Sequence, residues 1–289
     1  MRAFNYNEAF GRNLGWLTPE EQDALRGKKV AIAGLGGAGG VHLLTLTRLG
    51  IGGFHVTDLD QFDLVNFNRQ AGASMSSMGQ PKAQVMAKLA RDINPELDIH
   101  VFDEGVQPHN VDAFLDGVDL YVDGLDYFVF SARRLVYDAC RKRGIPITFA
   151  VPLGMGAAVL NFLPDGPGFD EYFQLQGTPE AEWPTRFLVG LAPALLHRGY
   201  LVYPEIVDFK TQRVPSTGLA CQLCAGMAGT EALKILLGRG KVRAVPHSMQ
   251  FDAYTGKLKH TWRPGGNRHP LNQLAIGYVN WRLKHKNQT

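Results

Sequence analysis

The chain has 289 residues, 45% of them apolar and 20% charged, with a formal net charge of +3. That is enough for one large domain or two small ones. The mild charge gives no electrostatic argument for a nucleic-acid partner, which is not expected. No window approaches the roughly 20 apolar residues of a membrane span; the longest candidate, 187–196, is interrupted by Pro193. The opening Met1-Arg2-Ala3-Phe4-Asn5-Tyr6-Asn7-Glu8 has no apolar signal core. A cytoplasmic protein without membrane contact is therefore the expectation, and Cys140, Cys221 and Cys224 fit a reducing compartment.

Thr18-Pro19-Glu20-Glu21 is a helix start, with Thr18 as cap, Pro19 at the first helical position and Glu21 closing a capping box. A short helix to about Leu25 precedes a first strand over 28–33. A glycine turn, Gly34-Leu35-Gly36-Gly37-Ala38-Gly39, then opens a helix to about Leu49, which Gly50-Ile51-Gly52-Gly53 stops. Strands are predicted over 54–58, 97–102, 118–123 and 146–151, with helices over 80–92, 110–115 and 131–143 between them. This alternation predicts an α/β fold, a doubly wound Rossmann-like sheet.

After Val151 the pattern changes. Residues 156–163 read as a strand that could pair antiparallel, making the sheet mixed. Residues 164–217 read as a long irregular crossover segment rich in Pro, Gly and aromatics. Phe169, Tyr172, Phe173, Trp183 and Phe187 there either pack over the sheet edge or wall a groove for an extended peptide tail. An apolar helix over 218–237 and a hairpin around Tyr254-Thr255-Gly256 follow. One continuous domain is expected: an N-terminal arm and helix (1–27), a nucleotide-binding core (28–163), the crossover (164–217), a helix and hairpin completing the core (218–262), and a basic C-terminal tail (263–289). The tail carries Arg263, Arg268, Arg282, Lys284 and Lys286, which read as a solvated terminal helix.

Gly34, Gly36 and Gly39 satisfy G-x-G-x-x-G between a strand and a helix. The backbone can then approach a phosphate closely, at a helix N-terminus aimed at it. The motif alone fits NAD, FAD, S-adenosylmethionine or ATP. Asp58, at the end of the second strand, is placed to accept hydrogen bonds from a ribose. Further groups lie at or near strand ends: Asp60, the loop Asn66-Phe67-Asn68-Arg69-Gln70, the helix start Gly79-Gln80-Pro81-Lys82, and Asp123 with Asp126. Carboxyl ends of strands converge on one crevice in an open α/β sheet, so this set can surround one triphosphate. Arg69 and Lys82 supply cations to the phosphate oxygens, and Asp126 is the best candidate for a Mg²⁺ carboxylate. A nicotinamide site needs neither.

On these motifs, together with Asn94-Pro95, residues from about Arg12 to about Ala253 resemble the ThiF/MoeB/HesA family, relatives of the ubiquitin-activating enzymes. The resemblance implies an adenylyltransferase that binds Mg-ATP and adenylates a carboxylate with release of pyrophosphate. The carboxylate would be the C-terminus of a ubiquitin-like sulfur carrier or of a peptide, or one on a small molecule or a tRNA. It implies that Asp58 binds the ribose, that Asn66, Arg69 and Lys82 hold phosphates, that Gln70 orders the phosphate loop, and that Asp126 binds Mg²⁺. Gly34, Gly36, Gly37, Gly39 and Asp60 complete the nucleotide site. Arg12 resembles the arginine that family members insert into the neighbouring subunit's site, which implies a homodimer.

Three features depart from the family's pattern. Tyr127 follows Asp126 where relatives carry Asn, and could stack on adenine or close the crevice. Cys221 and Cys224 are one C-x-x-C pair where a structural zinc takes two, so zinc is not expected. The crossover has no cysteine, so no thioester step through it is expected; an outside nucleophile would attack the acyl-adenylate. The competing readings are an NAD(P)-dependent oxidoreductase and a non-catalytic nucleotide-binding dimer that holds a partner protein.

Overall fold

The computed structural model describes residues 3–209 and 211–286, with side chains to Trp281. The side chains of Arg282, Lys284 and Lys286 in the basic tail therefore lie outside the described residues.

Helix α1 (Tyr6–Ala9) and a 3-10 turn (Gly11–Asn13) precede α2 (Pro19–Arg26). The capping box at Thr18 forms as the sequence requires: its hydroxyl accepts from Glu21 N at 3.2 Å, and the Glu21 carboxylate accepts from Thr18 N at 3.0 Å. Then come β1 (Lys29–Ala33), α3 (Gly37–Leu49), β2 (Gly53–Thr57), α4 (Lys82–Ile93), β3 (Asp98–Val101), α5 (Val111–Phe114), β4 (Leu120–Asp123), α6 (Phe130–Arg143) and β5 (Ile147–Leu153). The antiparallel part begins with β6 (Gly156–Phe162), followed by α7 (Phe169–Phe173), α8 (Trp183–Leu191), α9 (Gly218–Leu236), β7 (His247–Asp252), β8 (Lys257–Trp262) and α10 (Pro270–Lys286).

The strands form one sheet in the order β3-β2-β1-β4-β5-β6-β7-β8. Pairing is parallel from β3 to β5 and antiparallel from β5 to β8. The chain runs outward in opposite directions from β1 and from β4, so the topological switch point lies between these two strands.

Buried on both faces, the parallel strands read as continuous apolar runs, and strand periodicity divides them between two cores. Val30, Ile32, Leu120 and Val122 face α2, α3, α4 and the end of α9, through Leu25, Leu43, Met86 and Ala232. Ala31, Tyr121, Ile147 and Phe149 face α5 to α8, through Phe114, Val136, Tyr172 and Phe187. Gly50 stops α3 in the left-handed region at φ 96°, where a side chain would be strained.

The crossover differs from its sequence reading. It is not irregular throughout but carries α7 and α8, and Phe169, Tyr172, Phe173 and Phe187 are buried in the core against α6 and β6. The peptide-groove alternative for these rings falls, because their surface is spent on packing. The tail is also more than a solvated helix: Ile276 and Asn272 of α10 are buried, and the helix packs against α8. Among the described residues, no helix is long and apolar enough to cross a membrane.

Candidate functional site

The glycine turn lies at the switch point, and its close packing explains its composition. Gly34 takes φ +82°, and a Cβ there would stand 2.3 Å from the carbonyl oxygen of Gly124, just after β4. A Cβ on Gly39 would stand 1.8 Å from Gly34 O. The turn and the loop after β4 are therefore packed backbone to backbone, with the N-terminus of α3 open above them. Gly36 caps that helix without a side-chain hydrogen bond, leaving N–H groups directed at the crevice.

Asp58 reaches the same turn. Its carboxylate accepts from Leu35 N at 2.6 Å and from Asp60 N at 2.9 Å. Burial pushes this carboxyl above its ordinary value, against the downward pull of those two N–H groups. Lys82, the first residue of α4, donates from Nζ to Asp60 Oδ2 at 2.9 Å; its side chain is only 6% exposed, whereas that of Asp60 is 73% exposed. The ammonium is thus held at the mouth of the crevice by a carboxylate that water can reach.

The loop after Asp58 delivers the remaining groups. Asn66 Oδ1 accepts from Asp63 N at 3.0 Å and so closes the short turn 64–66. Its carbonyl oxygen has a local structural use beside the phosphate role that the resemblance implies. Arg69 lies across the turn: its Cγ would be 3.4 Å from a Cβ on Gly37, and its guanidinium donates to Val65 O at 2.9 Å and Asn68 Oδ1 at 3.0 Å. Gln70 Nε2 lies 3.6 Å from the Cβ position of Gly36, and its Oε1 is buried with no hydrogen-bond partner among the described residues. A buried acceptor without a donor is costly, and a ligand donating an N–H or O–H there would satisfy it.

Asp126 is exposed, in the loop that abuts Gly34, and its Oδ1 accepts from Phe128 N at 3.1 Å. Asp123 is a correction to the sequence reading. It does not face the crevice, because it is fully buried against Arg133 Nε at 2.7 Å and Tyr137 OH at 2.9 Å. Of the two alternatives for Tyr127, stacking on adenine falls. Its ring packs on Phe187 at 5.1 Å and Phe209 at 6.1 Å, and its hydroxyl donates to Pro184 O at 2.5 Å, so it is tied to the crossover and is not free to stack on adenine.

Arg12 is not brought to this group. The turn that carries it is pinned to the far end of α3, where Asn13 Nδ2 donates to Leu49 O at 3.3 Å. A helix of 13 residues places that end about 20 Å from the glycine turn.

Cys221, at the start of α9, sits behind the turn with Sγ 3.0 Å from a Cβ on Gly37. Burial raises its thiol pKa, which disfavours the thiolate. Among the described residues no group of three or more His, Cys, Asp and Glu side chains could hold a metal ion. Beside Arg69 and Gln70 opens a cleft of about 690 Å³, walled by Phe67, Met155, Leu219, Leu223 and Tyr254.

Sequence reasoning missed Gly124 and Arg133. The G-x-G-x-x-G turn could have suggested a small partner residue after β4, but nothing local marks an arginine inside a charged helix.

The arrangement places two cations, the carboxylate of Asp58 and the exposed carboxylate of Asp126 around a helix N-terminus, a combination whose chemistry suits an anion. The family model described as ThiF matches residues 10–273. The chain belongs to the ThiF family. It is 30% identical over 224 residues to the SAMP-activating enzyme E1 of Haloferax volcanii, covering 77% of this chain and 72% of that protein. It is 32% identical over 115 residues to the tRNA threonylcarbamoyladenosine dehydratase of Haemophilus influenzae, covering 40% and 44%. The match thus spans less than half of that dehydratase. The fold is that of PaaA, with a TM-score of 0.67 and 18% identity over 91% of this chain and 84% of that one. It is also that of Escherichia coli MccB, with a TM-score of 0.65 and 19% identity over 90% and 73%.

Proposed function

We propose that this ThiF-family chain is an ATP-dependent adenylyltransferase that activates a carboxylate. The observation that carries the reading is the convergence of Asp58, Arg69, Gln70, Lys82 and Asp126 on one glycine turn at the switch point of the sheet. A nicotinamide cofactor would leave Arg69, Lys82 and Asp126 without a task. MccB has been solved with ATP and TcdA with AMP, which supports nucleotide binding on this fold.

In this reading Asp58 accepts from the ribose, and α3, Arg69 and Lys82 hold the phosphates. The substrate carboxylate attacks the α-phosphorus and pyrophosphate leaves, giving an acyl-adenylate. Mg²⁺, held by Asp126, would neutralise charge on the phosphate oxygens. The protein's part is positioning and charge neutralisation, and with no cysteine in 164–217 an outside nucleophile takes the acyl group. The cleft beside Arg69 is walled mainly by apolar side chains, which suits an extended peptide C-terminus. Relatives are named as acting on SAMP and as adenylyltransferase/sulfurtransferase MoeZ, consistent with a small protein or peptide substrate. A homodimer, with Arg12 completing the neighbour's site, and a cytoplasmic location belong to the same proposal.

A second reading, a nucleotide-binding dimer without catalysis, is favoured by Tyr127, whose side chain serves packing where the family resemblance implies Asn. The test is calorimetric titration with Mg-ATP, NAD and NADP, using wild type and Lys82→Ala. Binding of ATP alone, weakened about 10- to 100-fold by loss of a charge-assisted contact, is expected. The exposed Asp60 left behind costs little stability. Nicotinamide binding indifferent to Lys82 would overturn the reading. Pyrophosphate exchange that Asp126→Ala abolishes would exclude the non-catalytic dimer.

A further inference from the structure

We propose that Arg133 is a positioning residue for Asp126, and that it acts by fixing the backbone of the loop between β4 and α6. The inference rests on the reading of Asp126 as the Mg²⁺ carboxylate and deepens it.

The Arg133 side chain is fully buried, and so is that of Asp123. Its guanidinium is spread over one short loop: Nη2 donates to Leu125 O at 2.8 Å and Asp126 O at 3.0 Å, and Nη1 donates to Val129 O at 3.3 Å. Nε binds Asp123 Oδ2, while Asp123 Oδ1 accepts from Leu125 N at 2.9 Å. The flat guanidinium lies against the rings of Phe149 and Phe187, with Cζ 5.3 and 5.0 Å from their centroids. The loop is thus wrapped around one cation, with Asp126 at its exposed crest and Gly124 against the glycine turn.

The Arg133–Asp123 ion pair by itself is not explained by stability. A buried ion pair replaced by apolar residues of similar volume commonly leaves a protein as stable or more so. What an apolar pair cannot do is offer donors to three carbonyls of the same loop. Only a planar fork reaches them together, and a lysine would bind one or two. Groups that orient a metal-binding carboxylate tune its affinity without touching the metal. Arg133 fits that description through the main chain on either side of Asp126.

The test uses the full chain and titration calorimetry with ATP, in excess Mg²⁺ and in EDTA. Wild type is expected to bind ATP more tightly with Mg²⁺. Arg133→Lys should lose about tenfold or more of that gain, with ATP affinity in EDTA unchanged. The double variant Asp123→Leu/Arg133→Met removes both buried charges together, and the folded protein should likewise lose the gain with ATP affinity in EDTA unchanged, which a purely structural role would not produce. It also serves if Arg133→Lys fails to fold. The proposal is overturned if these variants keep the Mg²⁺ gain, or if they weaken ATP equally with and without Mg²⁺. Asp126→Ala separates the two levels. If it keeps the gain, the metal role of Asp126 fails and the proposal with it; if it loses the gain while the Arg133 variants keep it, only the role of Arg133 fails.

Discussion

His42 shows how much one residue's surroundings decide. It lies in α3 with its ring wholly buried: Nε2 is 3.4 Å from Ala150 O and 3.8 Å from Cys224 Sγ, and Nδ1 has no partner among the described residues. Burial holds its pKa down, from 6.5 to about 4. The unfolded chain therefore binds this proton more readily than the folded one. Stability should fall as pH drops below about 6.5 and level off below about 4. The full effect is on the order of 3 kcal/mol. His42→Gln, which keeps a donor for Ala150 O, should flatten this part of the acid limb. Melting temperatures of both proteins between neutral and mildly acidic pH check it. Parallel curves would show that His42 does not carry the loss.

At the scale of elements, the decisive contact joins the loop after β4 to the crossover. Tyr127 reaches Pro184 and Phe187 of α8, and Phe209 beyond it. Burial raises its phenol pKa, so the hydroxyl stays protonated and donates. Tyr127→Phe leaves the ring and removes the bond to Pro184 O. A loss of about 0.5–1.5 kcal/mol is expected, and the crossover should be cut faster by a protease under native conditions. Unchanged cleavage there would mean that the hydroxyl does not tether the segment. This contact also marks where the sequence stops being legible. The strand–turn–helix alternation places β1 to β5 because period and glycine punctuation are local signals. The site residues at strand ends follow from topology alone. Helices α7 and α8 were hidden because Phe169, Tyr172, Phe173 and Phe187 crowd a stretch with Pro and Gly on either side, and their burial depends on α6 and β6, distant in sequence. Arg133 was hidden for the same reason. In a helix ending Arg141-Lys142-Arg143 it looks like one more solvated cation, and only the carbonyls of 125–129 distinguish it.

At the scale of the molecule, Arg12 cannot serve the nucleotide site of its own chain. The arm that bears it is clamped at the opposite end of α3. Asn13 binds Leu49 O, and Arg239, just after α9, donates to Trp16 O at 3.0 Å and to Glu21 at 2.8 Å. Reaching the glycine turn would require crossing the length of α3, about 20 Å. Beside Arg12 the arm presents Leu14, 45% exposed, and Trp16, 85% exposed. An apolar side chain as open as Trp16 beside an exposed cation suits insertion into a second copy. The consequence is a complementation test. Arg12→Ala and Lys82→Ala should each abolish pyrophosphate release from ATP in the presence of an accepted carboxylate. When the two are mixed and allowed to exchange subunits, half of the dimers are hybrids, and each hybrid holds one site with both groups intact. About a quarter of wild-type activity should return. No recovery, with hybrids shown to form, would mean that Arg12 does not act across the interface. An Arg12→Ala protein with full activity would remove it from the reaction.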